Sequence, residues 1–440
     1  MSKLEAVRGV LSESGLWRNG RAQTHKFLLS PNCYEITEKQ RAELEKLGEV
    51  IHQCLAGIGR ILSTAVVPGL TEGGSWGLIA KALRNGVPKI YESIQCLHPS
   101  RVPAICKVDL MIGTDGRFYI AEIDGHNKHG MGYSTLGARQ RRELQPQAKA
   151  LPGVARLLAE DVWRRQGAER LPDGTYMPIS GDNRIYLLYA DQERFYEPEF
   201  QILRTELASM DIDCRVFSES QAVLDGLRQS IDYGSGSSRL LVDLPFLFKS
   251  NGMSAELAAF YQAGTVDFLI PPKPFLGAKA VLGLLRNDER NVRLEAILHS
   301  QIKPEALELV RQYIPETYLL HKNTDLAALR QRCEQERFVL KESISSGMKG
   351  TLFSDDRQFA FMLKQAGSSY YRFILQREVE NRAHSFSYFT EDGEEREDYW
   401  YTRVTAHYAA RRLADIIVTA RRDKKVHGAP DSLQLGTIIV

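Results

Sequence analysis

The chain has no CxxC pair and no cysteine–histidine spacing of the kind that holds zinc. Its six cysteines, Cys33, Cys54, Cys96, Cys106, Cys214 and Cys333, are scattered. That pattern fits reduced thiols and gives no framework for disulfides or a structural zinc. No apolar run approaches the about 20 residues needed to cross a bilayer. The opening MSKLEAVRGVLSESG lacks the apolar stretch of a secretory signal. Charge of one sign is missing too: 57 Lys and Arg against 55 Asp and Glu leave a net charge of +2. No global field therefore draws the chain to nucleic acid or to an anionic membrane, and an anionic ligand must be held by local groups. Together these absences predict a cytoplasmic protein without nucleic-acid or membrane partners; a homodimer remains open. There is no internal repeat.

What is present is a globular composition, 43% hydrophobic and 25% charged over 440 residues, enough for two or three units. From Thr37 to Leu62 apolar residues recur at helical spacing (Leu44, Leu47, Ile51, Leu55, Ile58, Leu62). Lys107 to Asp124 reads as two strands around a turn at Thr114-Asp115-Gly116. Arg164 to Asn183, rich in Gly, Pro and charge, marks a boundary. After it, apolar runs alternate with amphipathic helices: a strand over Ile185 to Ala190, a helix over Pro198 to Met210, and strands over Cys214 to Phe217 and Leu240 to Leu244. This is the pattern of a small parallel-sheet unit. A second change falls near Pro271-Pro272. The predicted fold class is thus α/β (α+β), divided as 1–180, 181–275 and 276–440.

Two segments carry chemistry. In FVLKESISSGMKGTLF, an apolar strand delivers Lys341 and then gives way to a small-residue loop from Ser345 through Ser346 and Gly347 to Gly350. A flexible glycine loop of exposed N–H groups can fold over phosphate oxygens, and Lys341 would add a point charge. An ordinary hairpin with a glycine turn is the alternative for the loop alone. Downstream, RFILQREVE ends a buried strand in Gln376, Glu378 and Val379, placed to read an adenine edge and ribose hydroxyls.

In KVDLMIGTDGRFYIAEID, period-two alternation puts Lys107 and Asp109 on one face of the first strand and Glu122 and Asp124 on one face of the second. Carboxylates so gathered repel unless cations neutralise them, and oxygen-only ligands favour magnesium or manganese over zinc. Lys107 would hold an acidic substrate or a phosphoryl group in flight. The alternative is an exposed hairpin face with ordinary charges. Arg403, in WYTRVTAHY, is a further candidate to reach phosphates, with a surface arginine as its plain reading. His126, His129 and His427 do not make a tetrahedral metal signature and are assigned no metal. The terminal VHGAPDSLQLGTIIV has no evident role.

The order Pro-x-Thr, strand-lysine, glycine loop, strand-Gln-x-Glu-Val resembles the nucleotide half of the ATP-grasp superfamily. The hairpin is similar to the metal-binding hairpin of its circularly permuted ligases, the glutathionylspermidine synthetase-like group, whose motif reads Arg-x-Asp then Glu-x-Asn. The resemblance implies a permuted ATP-grasp fold with a Rossmann-like unit between hairpin and nucleotide lobes. It implies two phosphate-contacting lysines, Lys279 in FLGAKAVLGLL and Lys341, and metal ligands at Asp109, Glu122 and Asp124. It also implies substrate contacts at Ser134, Thr135 and Gly137, for which satisfaction of the local backbone is the plain alternative, and a catalytic role for Lys107, to which the reading of its own strand adds Arg403. Lys107 and Asp124 depart from the motif's arginine and asparagine, so the substrates of those families are not carried over. The activity implied is ATP- and magnesium-dependent joining of a small carboxylic acid to an amine through an acyl phosphate. A phosphotransferase and a non-catalytic nucleotide-binding module are the alternatives.

Overall fold

The computed structural model describes residues 2–13, 27–67, 69, 73–126, 129–179, 183–218, 239–242, 254–264, 266–345 and 350–440. The six helically spaced apolar residues form the buried face of a long helix, Glu38–Ala65. Thr37 begins it with a capping box: its hydroxyl accepts from the Gln40 N–H, and the Gln40 side chain accepts from the Thr37 N–H.

The fold is mixed α/β, built around a seven-stranded sheet in the order Tyr34–Ile36, Ser432–Ile439, Arg412–Arg421, Glu395–Ala409, Ile105–Ile112, Phe118–Asp124, with Ala383–Phe389 also paired to Glu395–Ala409. Its pairings are antiparallel except that Tyr34–Ile36 runs parallel to Ser432–Ile439. One face is apolar: Val108, Leu110, Val404, Ala406 and Val418 share a cluster with Leu44, Leu47 and Ile51 of the long helix. Period-two alternation sends Lys107, Asp109, Arg403, Thr405 and His407 to the other face. Consecutive segments in sequence therefore do not map onto separate sheets, because this sheet is made from both ends of the chain.

A second sheet, antiparallel, runs Thr351–Phe353, Phe338–Glu342, Phe373–Arg377, Thr317–Leu319. A third, parallel, runs Asp213–Ser218, Arg184–Tyr189, Arg239–Val242, Asp267–Phe268. Its first strand, its helix Glu197–Ala208 and the next two strands fall where the alternation predicts them. No helix among the described residues is long and apolar enough to cross a membrane.

The segment after the hairpin was expected as a ligand-contacting loop; it is instead a helix, Met131–Leu144, laid on the polar face of the large sheet. Gly436 permits the approach, since a Cβ built on it would stand 2.1 Å from the carbonyl oxygen of its facing residue Gly137. Replacing Gly436 with alanine should therefore force the helix off the sheet. Overpacking of this kind destabilises by about 1–3 kcal/mol, which a shift of the urea unfolding midpoint at unchanged slope would register.

Candidate functional site

The two strands of the acidic hairpin, Ile105–Ile112 and Phe118–Asp124, pair Lys107 with Asp124 and Asp109 with Glu122. The adjacent strand brings Thr405 opposite Asp109 and His407 opposite Lys107. A row of charge and polarity thus crosses three strands on one face. A bulge follows Asp109, leaving Ala121 as the extra residue. The Ala121 carbonyl accepts a hydrogen bond from Lys341 Nζ at 3.0 Å. That bond ties the second sheet to the hairpin, and Gln376 joins it: its Oε1 accepts from Lys341 Nζ at 2.6 Å and its Nε2 donates to Thr317 Oγ1 at 3.2 Å.

Lys279 enters from the third side, at the start of helix Ala280–Arg286, with its N–H donating to Ser343 O at 2.9 Å. Its Nζ lies 3.0 Å from Glu122 Oε1 and donates to the Ser345 carbonyl at 3.1 Å. Between hairpin and second sheet opens a cleft of about 860 Å³, counting its mouth, lined by Asp109, Glu122, Lys279, Lys341, Glu378 and Val379 among others. The walls desolvate Lys341 and pull its pKa down to about 8; Glu122 opposes the shift and Lys279 reinforces it.

A second cleft, about 1110 Å³, opens beside the first and shares Asp109 and Arg403 with it. It is lined by Lys107, His407, Glu199 and the rings of Phe27, Tyr133 and Tyr196. Burial works against charge on Lys107, yet Asp124, Asp109 and Glu122 prevail and raise its pKa. Burial likewise works against charge on Asp109, but Arg403 and Lys107 hold its pKa below the usual value. His407 is driven neutral, to about 3, by burial and then by Lys107. Among the described residues neither of its ring nitrogens has a hydrogen-bond partner. Gly130, at φ 101°, allows the chain to pass over the ring, where a Cβ would stand 3.3 Å from His407 Nε2. Glu199 fixes that passage by accepting from the Gly130 and Gly132 N–H groups at 2.7 and 3.3 Å.

The three carboxylates expected as one metal set are not gathered: among the described residues no three His, Cys, Asp or Glu side chains converge on a metal position. Each has its own partner instead. Asp109 accepts from Thr405 Oγ1 at 2.7 Å and lies 3.5 Å from Arg403 Nη1, Glu122 pairs with Lys279, and Asp124 lies 3.3 Å from Lys107. Asp109 and Glu122, as register partners facing the first cleft, still suit a cation that takes its remaining oxygens from a phosphate. Asp124 lines neither cleft.

Other expected residues are placed differently. Ser134 is fully buried and donates to Asp415 Oδ2 at 2.6 Å, Thr135 donates to Met131 O, and Gly137 packs on Gly436; none reaches a cleft. The substrate-contact expectation for these three is corrected by their helical geometry, which points them into the sheet. Gly350, at φ 69°, closes the turn into Thr351–Phe353, and Ser345 caps locally on Glu342 O. Ser346 and Gly347 lie outside the described residues. Gln376, buried and bonded to Lys341, lines the cleft together with Arg377, Val379 and Glu378, the last held by Arg337 at 2.8 Å.

The terminal segment gains a role. Lys424, Lys425 and Val426 line the first cleft, and Gly428, Ala429 and Pro430 the second. His427 Nδ1 donates within this loop to the Lys425 carbonyl, 2.8 Å away, and Arg421 Nε donates to Asp431 at its base. Thr405, His407 and Glu199 were not singled out from sequence. The alternation Arg403, Thr405, His407 in one strand was a signal that could have found the first two.

No protein-family model matches the chain, and no curated protein matches it. Among solved structures it aligns with a provisionally named gamma-glutamylcysteine synthetase from Methylobacillus flagellatus KT. The identity is 11%, with 93% of this chain and 90% of that one covered at a TM-score of 0.35. Likeness at that level says nothing about activity.

The Ser134–Asp415 contact yields a pH test. Burial raises the Asp415 pKa to about 6 despite the hydrogen bond from Ser134. Between the ordinary carboxylate value and pH 6 the folded state then holds more protons than the unfolded, so this group's contribution to stability falls as pH rises. Asp415→Asn should lack that component. Urea titrations of the two proteins should diverge from about pH 4 to pH 6 and level off by pH 7, with the variant gaining relative to the natural chain across that window.

Proposed function

We propose that the chain is an ATP-dependent ligase that joins a small carboxylic acid to an amine, with magnesium as cofactor. The observation that carries this reading is the pair of clefts sharing one wall of Asp109 and Arg403. One offers lysines and carboxylates suited to phosphates and a cation. The other offers cations for a carboxylate beside aromatic and neutral polar groups for an organic body. Adenine lies against Val379 in the first cleft, with Lys279 and Lys341 on the phosphates. Asp109 and Glu122 would hold magnesium, which would supply neutralisation of the charge that develops in phosphoryl transfer; manganese fits the same donors.

The acid occupies the second cleft with its carboxylate toward Lys107 and Arg403. One carboxylate oxygen attacks the γ-phosphorus, ADP departs, and an acyl phosphate remains. The amine nitrogen then attacks the acyl carbon, inorganic phosphate leaves with the carboxylate oxygen, and the nitrogen's surplus proton passes to solvent. The neutral ring of His407 can accept a hydrogen bond from an amine N–H without repelling it. Arg403, on the shared wall, spans the donor and acceptor ends of the transfer.

An oxygen-18 label placed in the substrate carboxylate should appear in released phosphate, and release should require both acid and amine. Label in AMP, or release without an amine alongside a phosphorylated product, would contradict the ligase reading; the second result favours phosphotransfer.

A separate test addresses the nucleotide cleft. Lys341 is largely neutral above pH 8 in the free protein, and a polyphosphate beside it favours the charged form. ATP binding at pH 9 should therefore take up close to one proton, measured by calorimetry in buffers of different ionisation enthalpy. In Lys341→Met the uptake should vanish and affinity should fall by about 1–3 kcal/mol, the range for one charge-assisted hydrogen bond. Undiminished uptake in that variant would remove Lys341 from the phosphates.

A further inference from the structure

Away from both clefts lies a cavity of about 1260 Å³, counting its mouth, whose wall carries Arg101, Arg164, Arg165 and Arg411 against two acids, Asp161 and Asp267. Both acids are already engaged. Asp161 accepts from Arg164 at 2.6 Å and from Arg165 at 3.0 Å, and Asp267 pairs with Arg101 and, at 2.5 Å, with Arg165. Four guanidinium groups thus face two carboxylates, and Arg411 makes no ion pair among the described residues. At Arg101 burial lowers the pKa, with Tyr261 opposing the shift and Arg165 adding a smaller push in the same direction. A bound anion would relieve the crowding.

The backbone adds an independent observation. Strands Glu395–Ala409 and Arg412–Arg421 are joined by Ala410-Arg411, both left-handed at φ 49° and 67°. Two-residue turns of this hand favour Asn-Gly, because a Cβ strains each position by roughly 1–2 kcal/mol. An unstrained turn was open to other sequences; this one holds a bare guanidinium in the cavity wall. Strain at an otherwise exchangeable position is a pointer to function. The same turn is stitched to the cavity floor, with Ala410 N–H donating to Ala104 O at 2.8 Å and Ala104 N–H donating to Leu269 O at 2.6 Å.

We propose that this cavity binds a small ligand carrying two or more clustered anionic oxygens, phosphate or carboxylate, gripped in two-pronged fashion by Arg411 with Arg101, Arg164 and Arg165. The planar fork of arginine matches either oxyanion. The bound ligand sits at the root of Ile105–Ile112, the strand that carries Lys107 and Asp109 into the clefts.

Pyrophosphate and citrate, each in magnesium-free buffer at low salt, serve as probes in calorimetric titrations of the full chain. A Lys279→Ala, Lys341→Ala double variant silences the first cleft. Saturable binding of at least one probe should persist in that double variant, and the tighter probe identifies phosphate or carboxylate as the preferred oxyanion. Arg411→Gly should lower that affinity about tenfold, the loss expected for one charge-assisted contact, while the melting temperature holds or rises because glycine accepts the left-handed turn. Arg164→Gln, at an exposed helix end, should weaken binding in the same direction. Binding that disappears in the lysine double variant, or that survives both arginine changes undiminished, would overturn the assignment. So would the lack of saturable heat from either probe up to roughly 10 mM, a concentration at which even a weak specific site fills.

Discussion

Lys107 stands opposite Asp124 and Asp109 opposite Glu122 across one antiparallel hairpin, and the same face continues into Arg403, Thr405 and His407 on the next strand. The residues between them, Val108, Leu110, Val404 and Ala406, are committed to the helix Glu38–Ala65 on the other side. Because strand side chains alternate, that apolar commitment leaves the charged residues no other place. A slip of one residue in either pairing would bury lysine and aspartate under leucine while exposing the core. Register is therefore enforced by the helix, and the polar row is as rigid as the core beneath it.

Rigidity at the sheet meets adjustability at its edge. The bulge at Ala121 turns a carbonyl toward the second sheet, and Lys341 takes it together with Gln376. The cleft between the two sheets is thus bridged by a lysine whose partners are a backbone carbonyl and an amide, both uncharged. Lys279, by contrast, is held against a carboxylate. The two lysines facing one cleft differ in what holds them, and burial lowers the pKa of Lys341 to about 8.

Much of this was legible from alternation and glycine placement alone. The long helix, the hairpin with its turn, and the parallel unit follow from periods of 3.6 and 2 that hold within one segment. Sequence reading failed where the deciding contact lies far along the chain. Ser134 and Thr135 sit in a glycine-rich stretch that looks like a loop, and only Asp415 and the Gly137–Gly436 contact, some 280 residues away for Asp415, make it a docked helix. The terminal loop was silent for the same reason, since residues 424–430 acquire meaning from strands that bring them between the clefts. Shared-face geometry fixes where carboxylates start, not which cation each one reaches, so the separate partners of Asp109, Glu122 and Asp124 were not legible in the sequence.

That last distinction shapes how the proposed reaction would begin. Four charged groups of the first cleft already have partners: Glu122 and Lys279 have each other, Asp109 has Arg403 and Thr405, and Lys341 has Gln376. A polyphosphate arriving alone would draw Lys279 and Lys341 to itself and strand Glu122 beside fresh negative charge. A divalent cation arriving alone would have to pull Glu122 from Lys279 and leave that lysine, almost wholly buried, without its counter-charge. Neither exchange is favourable by itself, because an unpaired charge in a desolvated cleft loses several kcal/mol. Arriving together they complete it, with phosphate taking the lysines and metal taking the carboxylates. Under the proposed function, nucleotide and magnesium would thus bind as one unit, and the pairs seen here act as the latch that excludes either one without the other.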